Sequence, residues 1–177
     1  MHGECDHTCS HQATPYTQSL DELEFERGIW QAAIDGDKEK VTQLLEKETD
    51  IDIPDNSGYT ALHYSCRNNH PSLVTYLLQK GACVNAQTKS GRDTPLHRAA
   101  YAGHQDIVSN LLQHGANILM TNADGQTAFH RACVAGRTEV VKLMIRHEPK
   151  VVHVQDLRGR TGVDLCSDKE IIKLLAT

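Results

Sequence analysis

The sequence predicts an all-α solenoid of helix-turn-helix units, and three observations predict it. The segment Thr94-Pro95-Leu96-His97-Arg98-Ala99 has an altered copy 34 residues upstream, Thr60-Ala61-Leu62-His63-Tyr64-Ser65, and another 33 downstream, Thr127-Ala128-Phe129-His130-Arg131-Ala132. A worn copy, Thr161-Gly162-Val163-Asp164, follows after a further 34. Behind each full copy an apolar run returns in register: Leu73, Val74, Leu77, Leu78; Ile107, Val108, Leu111, Leu112; Val140, Val141, Met144, Ile145. Turn signals, Asp55-Asn56-Ser57-Gly58 and Asn122-Ala123-Asp124-Gly125, precede two of the motifs. Self-similarity at this period marks stacked repeats, each burying its apolar face only against its neighbours.

In chain order, residues 1–18 are polar, lack helical or strand periodicity and are predicted to be a disordered tail. They hold Cys5, His7, Cys9 and His11, residue types that suit zinc. The alternate-residue spacing is tighter than in common fingers, so chance ligands in a tail and weak or shared zinc binding both stay open. The repeat domain is predicted over 19–177, with repeats at about 22–54, 55–87, 88–121, 122–155 and 156–177: four full units and a shortened C-terminal cap. Ser19-Leu20-Asp21-Glu22 fits a capping box, and Leu23, Ile29, Trp30 and Ala33 then line one helical face. In this first repeat Trp30 stands at the histidine position, as packing at the cap or as a partner contact. Repeat two starts its second helix at Pro71, where a missing N–H costs nothing, and leaves it at Gly81. Repeat three has one extra residue in its hairpin (Gly91-Arg92-Asp93-Thr94 against Gly58-Tyr59-Thr60), expected to lengthen the tip without disturbing the stack. Repeat four has one extra at 146–150 and lacks the Gly-Ala exit found at 81–82 and 115–116; the last unit is expected to be shortened between two helices.

The motif at 94–99 matches T-P-L-H-x-A letter for letter and resembles the ankyrin repeat. The resemblance covers residues 22–177. It implies a stack whose function is to bind other proteins, with Thr60, His63, Thr94, His97, Thr127 and His130 as structural residues that tie turn to helix and repeat to repeat. It also raises hydroxylation of loop asparagines; Asn85 is the candidate, and an ordinary turn role is the alternative.

Composition narrows the function classes. A net charge of −5 with no basic stripe argues against a nucleic-acid partner. No apolar stretch approaches 18 residues and the start lacks a signal region, so no membrane is expected and a cytoplasmic or nuclear location is. The unevenly placed cysteines give no disulfide framework. Neighbouring motif histidines should lie a helix apart, roughly 10 Å, too far to share a metal, and no Ser–His–Asp, Cys–His or phosphate-cradling pattern is present. The expectation is therefore a non-enzyme without cofactors, monomeric alone, that holds a protein or peptide on the concave face. Tyr and Arg dominate interface energies, which selects Tyr59, Tyr64, Arg67, Arg92, Arg98, Tyr101 and Arg131 as partner-binding candidates. The alternative is a zinc-linked regulator acting through the tail, and no adaptor box is expected after residue 177.

Overall fold

Each full Thr-x-x-His segment starts a helix in the computed structural model, which describes residues 28–47 and 49–175. The first repeat holds α1 (Ile29–Asp35) and α2 (Lys38–Glu46), and the second holds α3 (Ala61–Arg67) and α4 (Pro71–Gln79). The third holds α5 (Pro95–Ala102) and α6 (Gln105–Gln113), and the fourth α7 (Ala128–Val134) and α8 (Thr138–His147). A 3-10 helix at Pro149–His153 and α9 (Lys169–Leu175) complete the described chain. Among the described residues there are no strands, only isolated bridges pairing Thr121 with Thr127 and Gln155 with Thr161.

Two layers result. The first helices (α1, α3, α5, α7) bury small residues against one another, among them Ala32, Ala61, Cys66, Ala99, Ala100, Ala132 and Cys133. Small side chains shorten the interaxial distance, and the first helices pack more closely than the second helices do. The second helices fill the space with larger groups: Leu73 and Leu77, Ile107 and Leu111, Val140 and Met144 are all buried. Full burial of such a side chain contributes about 1.5–3 kcal/mol. Closer packing in one layer bends the stack, leaving the hollow side to the first helices and the hairpins that precede them, here called fingers.

A left-handed residue stands where first and second helices join, Asn69 (φ 62°) in repeat two and glycine in the other full repeats. Gly103 ends α5 at φ 92°, and a Cβ there would sit 2.7 Å from the Arg137 side chain. Gly36 does the same after α1, with the His70 ring 2.4 Å from where a Cβ would stand.

The irregular segments behave less uniformly. The fingers of repeats two, four and five close from residue i to i+4, as Tyr59 to Asp55, Gln126 to Asn122 and Arg160 to Asp156. The finger of repeat three closes over one more residue, the Thr88 amide donating to the Asp93 carbonyl at 3.1 Å. There Arg92 takes the left-handed backbone (φ 53°) that Gly58, Gly125 and Gly159 take elsewhere. The stack stays in register through it: the Lys89 amide donates to Ser57, Ala123 to Gly91 and Leu157 to Asp124. In repeat four the extra residue lengthens α8, and the 3-10 helix replaces the Gly-Ala exit and buries Val151. Ile145 is left half-buried at a groove of about 580 Å³ shared with Pro149 and Val152. The last unit differs from expectation in one respect: where a first helix was predicted, residues 162–165 form only turns before α9. Gly162 lies against the Phe129 ring, where a Cβ would approach to 2.6 Å, so this segment packs in by lacking a side chain.

Candidate partner-binding face

The motif histidines are spent on the stack. The Nδ1 atoms of His63, His97 and His130 accept the amides of Thr60, Thr94 and Thr127, each at 3.2 Å, and the threonine side chains accept the histidine amides in return. Because Nδ1 accepts, the proton sits on Nε2. From there it is donated to the next repeat's finger: to the Asp93 carbonyl at 3.0 Å, the Gln126 carbonyl at 2.9 Å and the Arg160 carbonyl at 3.3 Å. One neutral ring thus caps its own helix and ties it to the following repeat. Burial lowers the pKa of all three, that of His63 to about 4, although the carbonyl each ring bonds pulls the other way. A buried polar ring with both nitrogens occupied has no capacity left for a substrate or metal.

A second set of ties runs between the layers. His70 and His104 donate from Nε2 to the carbonyls of Ile34 (2.7 Å) and Arg67 (3.0 Å), and Arg137 donates from Nε to Tyr101 (3.0 Å). Each satisfies an orphan carbonyl at the end of the preceding first helix. The sequence signals them by position alone: His70, His104 and Arg137 recur directly after Asn69, Gly103 and Gly136. The loop exits are tied as well. Asp52 accepts the Cys83 amide at 2.9 Å, and Asn85 accepts the Asn117 amide at 2.9 Å while donating to Gly115.

The partner-binding candidates divide into two clusters and two separate residues. Tyr59, Tyr64 and Arg98 come together: the rings lie 5.5 Å apart, and the Arg98 guanidinium lies 4.8 Å over Tyr59 and hydrogen-bonds its hydroxyl. Arg98 also pairs with Asp93 at 3.1 Å, and Asn122 donates to the other oxygen of that carboxylate. Its Nε is buried without a partner. The Tyr64 hydroxyl donates to Asp55 at 2.6 Å; burial, then that carboxylate, raises the phenol's pKa. This cluster is half-buried and largely engaged. In the second cluster the Arg131 guanidinium lies 4.7 Å over the ring of Tyr101, which is 46% exposed. Arg67 and Arg92 are exposed and make no ion pair or ring contact among the described residues.

Two residues beyond the seven candidates belong to the same face. Val134, one turn beyond Arg131, is 46% exposed, and Leu157 at the tip of the fifth finger is 78% exposed. Arg131 and Leu157 line one open pocket of about 330 Å³ with Asp124, Gln126, Arg158 and Arg160.

Cys5, His7, Cys9 and His11 lie outside the described residues, as do Ser19 and Leu23. Among the described residues no group of three or more His, Cys, Asp or Glu side chains could hold a metal. No helix there is long and apolar enough to cross a membrane. Cys66, Cys83, Cys133 and Cys166 are free thiols, and burial pushes the Cys133 thiol up to about 12.

Family models for ankyrin repeats match residues 29–122 as three copies and residues 124–153 as one more. The chain belongs to the ankyrin repeat family. Its curated relatives include human ankyrin repeat domain-containing protein 39, 48% identical over 82 residues, which is 45% of each chain. The bovine protein of that name is 55% identical over 64 residues, 35% of each. These alignments span less than half of either relative's length. Rat palmitoyltransferase ZDHHC17 is 34% identical over 87 residues, covering 49% of this chain and 14% of that enzyme. So small a share of the enzyme carries no activity across. Ankyrin repeats are in general protein–protein interaction modules, and the family points to a non-enzymatic chain.

Proposed function

We propose that the chain is a non-catalytic docking module that holds a protein or peptide partner along its hollow side, on the fingers and first helices. The observation that carries this reading is the division of labour between side chains. The motif histidines and the inward-facing side chains of the second helices are consumed by packing. Tyr101, Val134 and Leu157, which no packing requirement explains, stand exposed on the other layer beside Arg131. Exposed apolar groups rimmed by polar ones are the usual composition of an interaction surface.

The test is a photo-crosslinking amino acid placed at Tyr101 and, in a second version, at Ser72 on the exposed side of α4, in cells. The reading expects discrete adducts from position 101 and few from position 72. Adducts from position 72 alone would place the partner on the wrong layer and end the proposal.

A further inference from the structure

The charges of this chain are sorted by layer. The whole sequence has a formal charge of −5, yet the fingers and first helices over 55–67, 88–102, 122–134 and 156–161 carry seven Arg or Lys against four carboxylates. Three of those carboxylates are already engaged. Asp93 pairs with Arg98 at 3.1 Å, Asp156 pairs with Arg160 at 2.7 Å, and Asp55 accepts the amides of its own turn and the Tyr64 hydroxyl. Asp124 alone of the four is exposed. Arg131 and Arg158 have no carboxylate partner among the described residues.

Arg131 shows how the excess arises. It occupies in repeat four the place of Arg98 in repeat three, and both stack on a tyrosine of the preceding repeat. Behind Arg98 the finger supplies Asp93. One period on, the same finger position holds Gln126, and one further on it holds Arg160. The repeat therefore neutralises one arginine and leaves the next with an amide on one side and a second cation on the other. A guanidinium held flat by a ring is well placed for bidentate recognition of a carboxylate. Such a pair strengthens when a partner covers it and lowers the local dielectric.

We infer that this face takes an extended acidic segment of a partner protein, its carboxylates on Arg131 and Arg158 and an apolar side chain between them against Tyr101, Val134 and Leu157. This rests on the docking-face reading above and names the chemistry of the partner. A nucleic acid fits less well. Its phosphate backbone offers no apolar group for Val134 and Leu157 to bury.

The test is fluorescence anisotropy on the full chain at low ionic strength, with four labelled probes: a 12-residue peptide of Glu with interspersed Leu, the same peptide with Gln for Glu, the same with Ser for Leu, and a mixed-sequence 12-nucleotide RNA. The inference expects the Glu/Leu peptide to bind at least tenfold tighter than each of the other three. It expects that binding to fall at least tenfold in R131Q/R158Q and further in R131E/R158E. The control K80E/K150E, which makes the same charge change on the second-helix side, should bind unchanged, with all variants checked by circular dichroism. No binding of the Glu/Leu peptide at millimolar concentration, equal binding of the Gln peptide, equal loss in the control, or preference for the RNA overturns it. Crosslinking from Tyr101 that survives R131Q/R158Q would retain the docking face and remove the acidic partner; crosslinking confined to Ser72 would remove both.

Discussion

Trp30, the three motif histidines and Asp164 occupy one position of the repeat, and they do different amounts of one job. In the middle, His97 caps α5 through Nδ1 and reaches Gln126 through Nε2. In repeat one, Trp30 has a donor and no acceptor: its indole N–H reaches the Ile53 carbonyl at 3.0 Å, and Gly28 leads the helix without a side-chain cap. In the last unit, Asp164 has acceptors and no donor. Its carboxylate takes the Thr161 amide and hydroxyl at 2.7 and 2.8 Å, and the arm to a further finger is missing. Imidazole is the side chain that donates from one edge while accepting on the other, so coupling of repeats through this position needs histidine; Asp164 keeps the capping half, and the Trp30 donor reaches only the exit loop of its own repeat.

The largest effect that would break this comparison comes from His97→Ala. It leaves the Thr94 amide and the Gln126 carbonyl buried without partners, at about 1–3 kcal/mol for each, so about 3 kcal/mol or more should be lost in urea denaturation. Asp164→Ala breaks one local cap and should cost clearly less. Equal losses would mean that the second arm of histidine contributes nothing.

Acid should sharpen the same contrast. The folded state holds His63 with its pKa lowered to about 4 against 6.5 for the free side chain, and lowers His97 and His130 as well. A lowered pKa means that the unfolded chain binds the proton more readily. The stabilisation is complete above pH 6.5, falls as pH drops from there toward about 4, and is flat below for His63. That one residue should account for on the order of 2–3 kcal/mol between pH 7 and pH 4. Denaturation curves at the two pH values, with wild type and His63→Gln, measure it; the variant should lose the smaller amount.

Much of this was legible from the sequence because the period repeats each signal several times. Thr60, Thr94 and Thr127 could be read as helix starts from one another, and the small first-helix residues and large second-helix residues followed the same register. What happens once could not be read that way. The reduction of 162–165 to turns depends on Gly162 meeting Phe129, and the 3-10 helix after α8 depends on Val151 filling the place of a missing Gly-Ala. Among the candidate contacts, Tyr59, Tyr64 and Arg98 read as free surface residues until the distances to Asp55 and Asp93 showed them engaged. Arg131 is the same letter in the same place, left without its carboxylate by a single change at Gln126.

Glycines give a smaller and more local contrast. Gly103→Ala forces a left-handed alanine into the Arg137 side chain and its bond to Tyr101, whereas Gly115→Ala meets nothing within 4 Å and pays for the backbone alone. The second should lower stability by about 1 kcal/mol and the first by more, read as thermal midpoints. Arg92→Gly is the smallest effect: relief of a left-handed arginine, about 1–2 kcal/mol, exceeds the backbone entropy cost of glycine, about 0.5–1 kcal/mol. A gain of a few tenths to 1 kcal/mol is expected.

The tautomers of His63, His97 and His130 test the shared claim most directly, through long-range nitrogen–proton NMR of the imidazole rings at pH 7.5. All three should be neutral with the proton on Nε2. Rings protonated on Nδ1, or titrating near 6.5 like exposed histidines, would contradict it.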